Sequence, residues 1–301
     1  MASKLDSRAR VKAREFCIDE YKDHLIYKSL ADREKNLGRS KILERLSEEE
    51  YKHYLFWRKL LGGECEARVS KLFLWIVILS RIILGLTFTL KMLERGEEKT
   101  IAEYKEYLAN LEGEERRELE EIIRDEETHE NSLMSQIDEA VVKYMSFIVL
   151  GLADAIVEIT GVHAGFLGVT SSTIVAGIAG LVVGFSAAIS MASAAYLQAK
   201  HDFERNPVSS ALVTGLSYIG AVVVLAAPYF ATHNMLLAFT VSITLAVTLI
   251  ATFTFYGSVV FDKKFLREFV ESTGLMLGTA FAAYFFGELL GVYFGVRGVF
   301  G

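Results

Sequence analysis

Proline is almost missing from this chain: two residues in 301, Pro207 and Pro228. Cysteine is equally scarce, at Cys17 and Cys65. Charge, too, is nearly absent from one half. From Tyr144 to Gly301 there are only six of the 32 Lys and Arg and eight of the 38 Asp and Glu. Each shortage excludes something. So few helix breakers, with few alternating β-branched runs, predict an all-helical protein. Two cysteines are too few for a disulfide framework and lack zinc-like spacing, so a reducing cytosolic setting is the default expectation. The opening MASKLDSRARVKAREF has no apolar core and does not read as a signal peptide. A net charge of −6 without a basic stripe argues against nucleic-acid binding.

What is present divides at Lys143. Before Tyr144 lie 26 of the Lys and Arg and 30 of the Asp and Glu, which predicts a charged helical domain over 1–143. Beyond it, five apolar stretches follow at about 144–168, 173–198, 208–230, 234–257 and 273–296. Each approaches the ~20 residues that cross ~30 Å of hydrocarbon. Lys200, Arg205, Lys263, Lys264 and Arg267 fall in the second and fourth connections, while LGVTSS and YFATHN carry no Lys or Arg. The positive-inside tendency then predicts a cytoplasmic N-terminal domain, a membrane domain over 144–301 and an outside C-terminus.

Three acids lie within these stretches: Asp154, Glu158 and Glu288. An acid at membrane depth costs a few kcal/mol, so it is a functional candidate by default. Asp154 and Glu158 share a helix face, about 15 and 21 Å from the cytoplasmic end at 1.5 Å per residue. Met191 lies about 12 Å deep in the second stretch on the same measure. Two carboxylates and a thioether suit a borderline divalent cation such as Fe²⁺. Glu288 lies near the outer end, where solvation alone would explain it. Gly180 and Gly184 form a small-xxx-small pair for close helix packing.

The segments GLADAIVEITGVHAGFLG, AGLVVGFSAAISMASAAYLQAK and NPVSSALVTGLSYIGAVVVLAAPY resemble the vacuolar iron transporter family. The likeness covers nearly all of 144–301. It implies a homodimeric Fe²⁺/Mn²⁺ transporter in which Asp154 and Met191 line a pore between protomers and metal exchanges for protons. Two features depart from that family. Val183 stands where its plant members carry a Glu, a place Glu158 could take from the opposite helix. The large acidic insertion between spans two and three is absent.

The charged half repeats a pattern. Glu-x-x-His occurs as Glu50–His53 and as Glu126–His129. Glu20 precedes Glu50 by 30 residues and Glu97 precedes Glu126 by 29. Tyr27 and Tyr104 each follow those upstream acids by seven. The i, i+3 spacing puts carboxylate and imidazole on one helix face, as a di-iron carboxylate bundle requires of two of its four helices. Over about 8–142 the chain resembles the ferritin-like, rubrerythrin-type superfamily. That resemblance implies Glu20, Glu50, His53, Glu97, Glu126 and His129 as ligands of two irons, with Glu94 as a further carboxylate. Tyr27 and Tyr104 would stand behind the carboxylates and hold them. No rubredoxin-like cysteine pairs accompany the pattern. The combination resembles the membrane-bound ferritins of bacteria, associated with iron export.

The run KLFLWIVILSRIILGLTFTLK, 71–91, is apolar enough to imitate a sixth span. Arg81 at its centre argues against that. Crossing there would also put Glu20, Glu50 and His53 on the opposite side from Glu126 and His129. The expectation is a four-helix head at about 6–36, 40–61, 68–110 (bent near Gly85 or Gly96) and 114–142, then five spans. The functional expectation is a membrane exporter of Fe²⁺, with Mn²⁺ second, using proton antiport. The alternative is a membrane-anchored ferroxidase, peroxide reductase or iron sensor.

Overall fold

The computed structural model describes residues 7–63, 65, 69–132, 140–202 and 205–296, and only the backbone at 98, 128–132 and 140–141. Every regular element among the described residues is a helix. The chain divides into two compact units, Met1–Glu139 and Ala140–Gly301.

The first unit is built on α1 (Ser7–Ala31) and α2 (Leu37–Leu60). Along α1 the buried positions run Ala13, Phe16, Glu20, Tyr27 and Leu30, a stripe at helical spacing. Along α2 they run Leu43, Leu46, Glu50, His53, Trp57 and Leu60. The two helices are joined by a short turn ended at Asn36, whose side chain accepts from the N–H groups of Gly38 and Arg39 at 2.9 and 3.2 Å. That cap satisfies donors a helix start leaves open, an effect of about 1 kcal/mol. Deeper in the hairpin, Ser47 Oγ donates to the His24 carbonyl at 3.1 Å.

The third bundle helix is broken twice, where one bend was expected. Its pieces are α3 (Lys71–Leu84), α4 (Leu86–Leu93) and α5 (Glu97–Tyr107), separated at Gly85 and around Gly96. Gly85 has φ of 92°, a conformation that side-chain-bearing residues rarely adopt, so the helix ends there. A turn of 3₁₀ helix at 108–110 leads to α6 (Gly113–Ser132). The 71–91 run thus lies in the first unit. Its Val77 packs with Ile26, Leu30 and Leu43, and Arg81 pairs with Glu34 at 2.9 Å. At 14 residues, α3 is about 21 Å long, too short to cross a bilayer.

Two apolar clusters fill this unit. One gathers Phe16, Trp57, Tyr104, Tyr107 and Leu119, the other Ile26, Leu30, Leu46, Leu86 and Leu90. In sequence, Glu20 falls between the members that α1 gives to each cluster, and Glu50 and His53 between those of α2. The cysteines correct the default expectation: Cys17 and Cys65 are joined by a disulfide, with Cα atoms 6.5 Å apart. A bonded pair carries no argument for a reducing setting.

The second unit holds α7 (Ala140–Val169), α8 (Thr173–Ala199), α9 (Pro207–Ala231), α10 (Met235–Val260) and α11 (Phe265–Tyr293). All five are long and apolar enough to cross a membrane. α11 begins eight residues before the expected fifth stretch. Its charged first turns extend the apolar core rather than forming a loop, and Glu268 pairs with Lys263 at 3.5 Å. Ser172, Asn206 and Asn234 cap α8, α9 and α10 through their side chains. Pro207 opens α9, where its missing N–H costs nothing, and Pro228 lies near that helix's end. α7 and α11 pack at close quarters: a Cβ on Gly287 would strike the Gly165 carbonyl, and one on Gly168 the Glu288 N–H at 2.7 Å.

Candidate metal centre

Four side chains from three helices meet inside the first unit: Glu20 of α1, Glu50 and His53 of α2, and Glu126 of α6. All four are buried, and each offers a ligand atom lying within 4.8 Å of the others. His53 Nδ1 is 3.0 Å from Glu126, 3.6 Å from Glu20 and 3.7 Å from Glu50. The i, i+3 step in α2 brings Glu50 and His53 to one face, and the antiparallel hairpin sets Glu20 opposite. Tyr104, from α5, donates a short hydrogen bond to the Glu20 carboxylate.

Carboxylates are seldom buried together without a compensating positive charge. Here the imidazole of His53 faces all three. Burial, then the charge of Glu126, push the Glu50 carboxyl well above its ordinary range. Burial alone would depress His53, but hydrogen bonds with Glu126, Glu20 and Glu50 outweigh it and hold the imidazolium well above its usual pKa. Glu20 is the charged partner: burial opposes its ionisation, and His53, Glu50 and Tyr104 more than compensate, lowering its pKa. Three carboxylates and one imidazole form a hard-to-borderline donor set of the kind that iron and other first-row divalent ions accept. A cation entering it would compete with protons for Glu50 and His53.

Beside these residues a cavity of about 220 Å³ is lined by Glu20, Glu50, Glu126, Tyr27, Tyr104 and Glu97. Glu97 therefore reaches the same chamber, as the repeat implies, though it is not one of the four converging ligands. Tyr27 is buried, and burial together with the charges of Glu94 and Glu97 raises its pKa. The side chain of His129 lies outside the described residues. Asp19 and Asp23 also line the cavity and escaped sequence reading. Burial, then its acidic neighbours, push Asp23 up to about 7. Its place one turn after Glu20 was the available signal.

In the second unit, Asp154, Glu158 and Met191 line one open groove of about 520 Å³ with Val183, Ser186 and Ser190. Val183 and Glu158 thus share a groove from opposite helices. Tyr218 of α9, which sequence reading passed over, donates a short hydrogen bond to Glu158. Glu288 lies apart on α11, half-buried beside Gly168.

The family model described as Rubrerythrin matches residues 15–137. No curated protein matches the chain. No solved structure matches it. Residues 15–137 are a rubrerythrin-type, ferritin-like domain, a type that binds iron, and five apolar helices follow it.

Proposed function

We propose that this protein carries Fe²⁺, and secondarily Mn²⁺, out of the cytoplasm, with the rubrerythrin-type head collecting the metal. The observation that carries the reading is the groove holding Asp154, Glu158 and Met191 among helices of membrane-spanning length. Carboxylates and a thioether at that depth serve an ion better than they serve packing. Asp154 is exposed on the single protomer. An acid facing lipid is costly, and a second copy laid over the groove would remove that cost, which favours a homodimer. The likeness to the vacuolar iron transporter family supports the same arrangement, with proton antiport and a cytoplasmic head.

In the head, Glu20, Glu50, His53 and Glu126 would hold metal, with Glu97 at the chamber wall and Glu94 and His129 completing a second position. Tyr104 orients Glu20. Glu50 and His53 give up their protons as the cation binds, and the two flanking apolar clusters limit water at the centre. Iron bound there supplies one-electron redox chemistry.

Reconstitution into liposomes tests the reading. Asp154→Asn should lower Fe²⁺ flux at least tenfold and leave iron binding by the head unchanged; wild-type flux in that variant would refute the pore. A second reading, a membrane-anchored ferroxidase using O₂ or peroxide, is favoured by the buried three-carboxylate, one-histidine centre. Glu126→Ala in the full chain separates the two. An exporter keeps downhill Fe²⁺ flux when the head is disabled, whereas a ferroxidase loses all its activity.

A further inference from the structure

Between α7, α8 and α9 lies a polar cluster that no step above uses. Thr160 and His163 project from α7, three residues apart and therefore on one face, and both are fully buried. The ring of Tyr229, from α9, lies 4.1 Å from the His163 ring, centroid to centroid. Neither nitrogen of His163, nor the hydroxyls of Thr160 and Tyr229, has a hydrogen-bond partner among the described residues. Leaving such buried groups unpaired is costly, and the adjoining His163 and Tyr229 call for an explanation. Gly180 makes the space: a Cβ there would strike His163 Nε2. The imidazole is thus seated against the backbone of α8.

The donor set does not suit a divalent cation, since it contains no carboxylate and only neutral hydroxyls beside one imidazole. It suits a proton. Among the groups facing the ring, α8 presents Gly180 and no titratable side chain, and α9 presents Tyr229. α10 contributes Met235 and Ala238, and α11 Tyr284, to the adjoining apolar cluster. Asp154 and Glu158 of α7 line the groove instead, and Glu288 packs its backbone on Gly168. With no carboxylate in ion-pair range, the enclosed ring is neutral imidazole. His163 lies five residues beyond Glu158, about 7.5 Å further along the helix. That places it in series with the groove rather than among its ligands.

We propose that His163 is the proton carrier of the membrane unit, neutral while enclosed by Gly180 and Tyr229 and protonated when α8 draws away from α7. A proton taken up at an imidazole nitrogen from water on one side is released to water on the other, in exchange for the metal ion. This rests on the transporter reading above.

The test uses the full-length protein in liposomes, with Mn²⁺ entry read by a trapped dye and proton counterflow by a pH-sensitive dye. Wild type should move Mn²⁺ and protons together. His163→Gln should pass Mn²⁺ down its own gradient within about threefold of wild type, while proton counterflow falls at least tenfold. An imposed pH gradient should then no longer drive Mn²⁺ uphill. Wild-type counterflow in His163→Gln overturns the proposal, as does a folded variant that loses both fluxes equally. If His163→Gln does not assemble, Gly180→Ala decides: it displaces the ring, and unchanged coupling overturns the assignment. Wild type moving Mn²⁺ without protons refutes the carrier and leaves the transporter standing. Wild type moving no metal removes the transporter reading itself.

Discussion

Glu50 and His53 are neighbours on one helix face, and in the metal-free head their surroundings raise the pKa of both. The sign of the consequence follows from linkage. A carboxyl with a folded pKa above its unfolded value stabilises the fold fully at low pH and loses that contribution as pH rises through the folded value. Asp23, pushed up to about 7, behaves the same way, and the raised His53 adds in the same direction. The metal-free head should therefore melt at progressively lower temperature as pH is raised from the ordinary carboxylate range to about 7, as calorimetry would show. A flat profile would contradict the assigned proton inventory. Metal binding reverses the trend, because the cation displaces protons, so calorimetric titration in buffers of different ionisation enthalpy should reveal proton release. Tyr104→Phe removes the hydrogen bond that orients Glu20, and metal affinity should fall about 10–100-fold with the fold intact. At this scale the repeated Glu-x-x-His spacing made Glu20, Glu50, His53 and Glu126 legible, because helical periodicity converts sequence distance into direction. Tyr218 was not legible, since it meets Glu158 from a helix sixty residues away in sequence.

A helix that must both pack and turn leaves a weaker mark on sequence than one that only packs. α1 and α2 follow their apolar stripes. The third bundle helix does not, because Gly85 and Gly96 each break it, and residue type alone could not decide between them. Packing energetics give two tests. Trp57 is fully buried against Phe16, Tyr104 and Tyr107, so Trp57→Ala should cost about 3–5 kcal/mol, read as a lower melting temperature of the head. The disulfide joins residues 48 apart, and reducing it should cost the head about 2–4 kcal/mol, measurable by denaturation with and without reductant. α11 shows the opposite failure of pattern reading. Its start was placed too late because charged residues at a membrane boundary read as loop, although a helix can carry them into solvent.

Two units of unlike composition should unfold as two events. Removing metal with a chelator should lower the melting transition of the head by several degrees and leave that of the membrane unit in place, because a ligand stabilises only the unit that binds it. Differential scanning calorimetry of the full chain checks this; a single shifted transition would mean the units are energetically coupled. The division itself was visible in the distribution of charge, since apolar helices and charged helices need different solvents. So were the helical class, the five long apolar helices and the spacing of the Glu-x-x-His motif, all of which depend on local periodicity and on hydropathy averaged over about twenty residues. Only the tertiary structure decided which acids converge on His53, that Cys17 meets Cys65, and that His163 is enclosed against Gly180. These depend on distances between helices far apart in sequence. Such distances are set by packing many side chains at once, and no single stretch of the chain carries that information.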